Sequence, residues 1–172
     1  MNLRDAILKE HSKKQCAAIV KWIGHDQKKF NELFDLFLND EYRVVQRAAW
    51  PLSYCIEKHP GLIKKHYSKL LKNLEKKGIH EAVKRNTVRL LQYVVIPKKF
   101  HGQVMDICFN YINSPTEPVA VKAFSITVLQ NLARQYPEII NELKLVIQER
   151  WDHETIAFRT RAKKLFKEFD QG

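Results

Sequence analysis

Cysteine is scarce in this chain: Cys16, Cys55 and Cys108 are the only three in 172 residues. Three cannot all pair within one chain, which excludes a disulfide framework and leads us to expect a reducing, cytoplasmic setting. They form no C-x-x-C, and the seven histidines are dispersed with no H-E-x-x-H, so no metal site is expected. A glycine-rich phosphate loop and a G-x-S-x-G elbow are both missing. Those gaps remove the local signatures of nucleotide binding and serine hydrolysis, and no cofactor or small-molecule substrate is inferred. No apolar run approaches the roughly 20 residues of a membrane span. The longest, Leu90 to Ile96, is broken by Gln92 and stopped by Pro97. Met1-Asn2-Leu3-Arg4-Asp5 is not a basic region leading into an apolar stretch, so no signal peptide is expected. Alternation of period two never persists long enough to predict a strand.

What remains is a globular composition, 45% hydrophobic and 28% charged, in a length that suits one domain with a real core. The chain also repeats itself. Val45-Gln46-Arg47-Ala48-Ala49, Val83-Lys84-Arg85-Asn86-Thr87 and Val121-Lys122-Ala123-Phe124-Ser125 begin 38 residues apart. A fourth copy, Phe158-Arg159-Thr160-Arg161-Ala162, follows after 37. Each copy has an apolar first place, a small fifth place (Ala49, Thr87, Ser125, Ala162) and an aliphatic eighth place (Leu52, Leu90, Val128, Leu165). First, fifth and eighth positions lie on one face of a helix. The small residue sits mid-face, where a close helix approach needs a short side chain. In the next column Trp50, Val88 and Ile126 read as core.

Each of the first three copies is followed by a second helical pattern that a proline opens: Pro60, Pro97 and Pro137. Proline at a first helical position costs nothing, because that N–H has no intrahelical partner. Apolar residues then run Ile63, Tyr67, Leu70, Leu71, Leu74 and, at the same offsets, Phe100, Val104, Ile107, Cys108, Tyr111. The third set, Ile139, Ile140, Leu143, Val146 and Ile147, slips by about one residue. A further pair, Lys13 to Ile23 and Asp26 to Leu38, precedes them, with loops at Gly24-His25-Asp26, Asn39-Asp40, Lys77-Gly78 and Ser114-Pro115. Leu3 to Leu8 and Thr155 to Phe169 are predicted to cap the ends, near Trp22 and Trp151. The expected units are residues 12–39, 40–77, 78–115, 116–153 and a partial 154–172 within one domain, 1–172.

The recurring first helix and the helix-pair unit resemble HEAT repeats, of the armadillo-type class, over residues 12–169. Units of that family are somewhat longer, at roughly 40–47 residues. The resemblance implies an all-α superhelix, a right-handed solenoid of about four helix pairs plus end caps. An acid often precedes the first helix in that family. Asp40 matches it, Glu117 and Glu154 are looser substitutes, and the third copy offers only His80-Glu81. Pro51 is similar to the proline that often bends the first helix.

Charge is concentrated. Residues 58–99 hold twelve basic side chains against Glu75 and Glu81, so +10 of the net +11 lies there. After Pro60, Lys65, Lys69, Lys72 and Lys76 fall on one predicted solvent-facing stripe, with Arg85 and Arg89 following. The resemblance would put the second helices on a concave side, so the stripe would attract an acidic protein segment or phosphates. Equivalent places further on, Gly102, Asp106 and Phe109, break the stripe, unlike a track for a long nucleic-acid backbone. Phe109, and Leu145 after it, are apolar where solvent is expected, which suits a protein contact. The expected function is a non-catalytic scaffold for an acidic protein segment, contacted by Lys65, Lys69, Lys72, Lys76, Arg85, Arg89 and Phe109. A nucleic-acid binder is the alternative. Some HEAT-like proteins are glycosylases for alkylated DNA bases, with paired tryptophans beside an aspartate; Trp151-Asp152 offers a single tryptophan.

Overall fold

Helices with turn residues between them account for the whole described chain, residues 1–170 of the computed structural model, and no strand occurs there. The last two positions of the expected partial unit 154–172 lie outside the described residues. The chain divides into two compact units, Met1–Val94 and the remainder from Val95 onward. That boundary falls inside the expected unit 78–115.

The first unit contains α1 (Leu3–Lys9), α2 (Lys13–Ile23), α3 (Gln27–Asn39), α4 (Tyr42–Lys58), α5 (Tyr67–Asn73) and α6 (Glu81–Leu91). Side chains fix the starts: Ser12 Oγ accepts the Gln15 amide, and Asp26 accepts those of Lys28 and Lys29. Each satisfies an N–H that the helix itself leaves without a partner. At α6 the cap is His80, whose Nδ1 accepts from the Ala82 amide at 2.9 Å. Gly24 closes α2 at φ +53°, a region where a side chain would clash, and its N–H bonds the Val20 carbonyl.

Helix α4 is the hub of this unit, packed by α1, α2, α3, α6 and the short segment Pro60–Ile63. Contact on several sides explains a departure from the simple repeat face. Val44, not Val45, is fully buried, and burial extends to Ala48, Ala49, Pro51, Leu52, Ser53, Cys55 and Ile56. The expected column also splits. Val88 and Ile126 are sealed, whereas Trp50 is half-buried, edge-on to His11 and Tyr54 at 5.5 and 6.3 Å between ring centres.

The prolines open their segments, but through tight turns. Pro60 begins a 3-10 helix, Pro60–Ile63; Pro97 precedes another, Lys98–Phe100; Pro137 lies in a turn before Ile139. Fixed φ and a missing N–H suit a short 3-10 start as well as an α-helical one. After Pro60 the buried Leu62 and Ile63 tie that turn to α4, and the α-helix resumes only at Tyr67.

The second unit contains α7 (His101–Asn113), α8 (Val119–Ala133), α9 (Ile139–Arg150) and α10 (Ile156–Phe169). Helix α8 packs on both α7 and α10 and is buried on most sides. His101 anchors the entry to α7: its Nε2–H donates to the Ile96 carbonyl at 2.6 Å, and its Nδ1 accepts from the Tyr136 hydroxyl at 2.9 Å. Glu154, ahead of α10, is held by Lys122 at 2.6 Å and Arg150 at 2.8 Å, with the Lys122 and Glu154 side chains only 4% and 3% exposed. In the first unit Asp40, ahead of α4, takes the Arg4 guanidinium at 3.0 and 3.1 Å. The acid before the first helix is therefore an anchor for a cation from another helix.

All four mid-face small residues, Ala49, Thr87, Ser125 and Ala162, are 1% exposed or less. Ser125 returns its hydroxyl to the Val121 carbonyl, whereas among the described residues the Thr87 hydroxyl has no hydrogen-bond partner. Ala49→Asp is expected to destabilise by several kcal/mol, because an unpaired carboxylate would enter the seam. Urea unfolding within about 0.5 kcal/mol of wild type would remove Ala49 from the core. Thr87→Val keeps the shape and deletes the orphan hydroxyl, so the same measurement should show a gain of about 1 kcal/mol. A loss would mean that the hydroxyl is satisfied.

Candidate functional site

The lysine-rich segment after Pro60 folds differently from one continuous helical stripe. Only Lys69 and Lys72 lie on α5; Lys65 is in the turn 64–66 and Lys76 in the bend beyond Leu74. All four are exposed. Three of them still converge. Lys69, Lys72 and Lys76, with Asn73 and Glu75, line a groove of about 490 Å³ whose other wall is Leu38 and Asn39 at the end of α3. Lys76 is partly committed, since its ammonium caps the Leu38 carbonyl at 2.9 Å. Among the described residues neither Lys69 nor Lys72 meets a carboxylate, so both charges face the groove and solvent.

The turn before α5 is pinned by His66. Its ring lies 4.4 Å from that of Phe34 and 5.7 Å from that of Phe30, and its Nε2–H donates to Asn31 at 2.8 Å. That anchor orients α5 with Tyr67, Leu70 and Leu71 inward. Asn73 also turns inward and is 5% exposed, although it lies on the groove wall. Sequence reading missed Asn73. The available signal was its spacing, three residues after Leu70 and six after Tyr67, which puts a polar side chain on the apolar face.

The remaining expected contacts lie elsewhere. Arg89 is engaged within the fold: it pairs with Glu57 at 2.6 Å, donates to Ser53 at 3.2 Å and covers the Tyr54 ring at 4.2 Å. Its side chain is 17% exposed. Arg85, one turn earlier on α6, is exposed, but neither arginine lines the lysine groove. Phe109, half-buried on α7, lines a second groove of about 480 Å³ in the second unit, with Met105, Ile139, Asp106 and Glu142. Two carboxylates beside it make that groove a poor place for an acidic ligand. Leu145 is exposed on α9, as expected.

Burial pushes the Cys16 thiol up to about 11 and those of Cys55 and Cys108 to about 12, so none is a thiolate nucleophile near neutrality. Trp151 stacks on Phe166 at 6.3 Å and lies under the Arg159 guanidinium, while Asp152 is exposed.

A family model described as HEAT repeat domain matches residues 3–169. The chain belongs to the HEAT repeat family. No curated protein and no solved structure matches it. HEAT repeat domains are generally non-catalytic scaffolds for protein interaction. No helix of the described residues is long and apolar enough to cross a membrane.

Two histidines give this HEAT repeat protein a pH dependence of known sign. Burial first, then the charges of Lys69 and Lys65, hold the His66 imidazole below its usual range. His11 is lowered by burial, then by Arg47 and Arg85. The native state therefore binds fewer protons than the unfolded chain near the unfolded value of about 6.5. Stability should be full above that value and fall as pH drops through it. Thermal melts between about pH 7.5 and 5.5 should show Tm falling with pH, with a shallower slope in His66→Gln. A Tm that rises on acidification would contradict this.

Proposed function

We propose that this chain is a non-catalytic binding module whose first unit recognises an acidic segment of another protein. The observation that carries the reading is the groove between α3 and α5, where the Lys69 and Lys72 ammoniums lack carboxylate partners. Point charges of this kind steer association and respond to salt, while the Leu38 wall offers apolar contact to slow dissociation. Lys65 and Arg85, both exposed, extend the attractive field of the unit without lining the groove. Phe109 is left out of this site, because Asp106 and Glu142 share its groove.

Replacing Lys65, Lys69, Lys72 and Lys76 by Glu should slow partner association strongly and flatten its salt dependence. The decisive measurement is capture of partners by the wild-type protein and by this variant, with and without nuclease. Proteins retained after nuclease by wild type and lost by the variant support the reading. A duplex ligand would instead give a log–log salt slope of about −0.9 per phosphate neutralised, changing by roughly 3–4 units when four contacts are lost. Capture that vanishes with nuclease, beside tight binding of naked DNA, would overturn the protein-partner reading. Release of bases from alkylated DNA, abolished by Asp152→Asn, would overturn the non-catalytic one.

A further inference from the structure

We propose that the floor of the lysine groove seats a glutamate side-chain carboxylate, which accepts hydrogen bonds from the Asn73 carboxamide between the Lys69 and Lys72 ammoniums. This rests on the acidic-segment reading of the groove and adds the atom that reads the ligand.

The starting point is an unpaired polar group. Buried side chains normally find hydrogen-bond partners, and each exception calls for an explanation. Ser53, Asn86, His101, Lys122, Ser125 and Glu154 are all buried and all bonded within the protein. Asn73 is 5% exposed, and among the described residues its carboxamide has no such bond; its amide atoms are not buried orphans but keep the little exposure the residue has. The Thr87 hydroxyl is the buried orphan among the described residues, and it is sealed in the seam of α6. Asn73 differs because it borders open space of about 490 Å³.

Position then selects the ligand. Lys69, Lys72 and Asn73 stand at i, i+3 and i+4 at the end of α5, and Lys76 follows in the bend beyond it, so the groove lining places an amide among three cations. The carboxamide offers two N–H donors, which suit the oxygens of a planar carboxylate. Across the groove, Leu38 gives the aliphatic stem of a glutamate an apolar surface. The groove lysines span only residues 69–76, too little for a long nucleic-acid backbone.

The probe is a fluorescein-labelled octaglutamate peptide, with an octathymidylate oligonucleotide as the competing polyanion. Wild type should bind octaglutamate, and its Asn73 side-chain amide resonances should shift as the peptide is added. Asn73→Leu removes the donors and fills the same volume. It should weaken binding about tenfold, leave the salt dependence unchanged and melt no lower than wild type. Lys69→Gln with Lys72→Gln should reduce both affinity and salt dependence. Lysine-dependent binding that neither shifts the Asn73 amide nor responds to Asn73→Leu would overturn this inference alone. Failure of wild type to bind octaglutamate, or binding indifferent to the lysines, would overturn the underlying reading as well. Tighter binding of octathymidylate with a shift of the same amide would replace the carboxylate by a phosphate. Should Asn73→Leu not fold, the wild-type amide shift decides.

Discussion

Close approach of the first helices is the constraint on which the rest depends. Ala49 and Thr87 lie on α4 and α6, Ser125 and Ala162 on α8 and α10, and none leaves more than 1% of its surface exposed. Within each unit those helices pack directly on one another, which a large mid-face side chain would prevent. The aliphatic eighth places, Leu52, Leu90, Val128 and Leu165, are then fully enclosed, so each side chain is removed from water completely. Ser53, Asn86 and Ser125 near the seam are satisfied on site, whereas the Thr87 hydroxyl is not. Ser53 Oγ lies 3.0 Å from both the Trp50 carbonyl and Asn86 Oδ1; its single proton serves one acceptor at a time, and it accepts from Arg89.

Charges serve two separate purposes in this HEAT repeat protein. Some fix geometry. Arg4 on Asp40, Arg89 on Glu57 and Lys122 on Glu154 each tie together segments more than thirty residues apart. The Lys122–Glu154 pair is almost dry, so its Coulomb gain is set against heavy desolvation, and its value lies in specifying one arrangement. The cation over a ring, as with Arg89 and Tyr54, does similar work at lower desolvation cost. Lys69 and Lys72 are the contrasting case, since no such partner restrains them. Untethered charge is common on this basic chain; what sets Lys69 and Lys72 apart is that theirs lines a groove.

The two grooves differ in sign for a local reason. Their walls come from equivalent second-helix positions, lysines on α5 and Asp106 with Phe109 on α7, and Glu142 on α9 adds a second carboxylate. Each belongs to its own unit, so a scaffold of this kind presents two chemically distinct surfaces instead of one uniform track.

Much of this was legible in the residues alone. Helical content, the 38-residue recurrence, the small mid-face places and the loops at Gly24 and Gly78 all follow from periodicity and from backbone limits, which are local properties. The end helices were readable for the same reason, whereas the acid before α4 was legible only through the resemblance to HEAT repeats. Tertiary structure alone decided which charges are free. Arg85 and Arg89 look alike in sequence, yet Arg89 is consumed by Glu57 and Tyr54 across a helix seam. The lysine stripe was also broken by a distant cause, the packing of Leu62, Ile63 and His66 against earlier helices, which ends one turn and restarts another. Asn73 became a groove wall only because α3 ends opposite it. Spacing along one helix sets which residues share a face, but whether that face meets a partner, a cation or open space depends on segments far away in the chain.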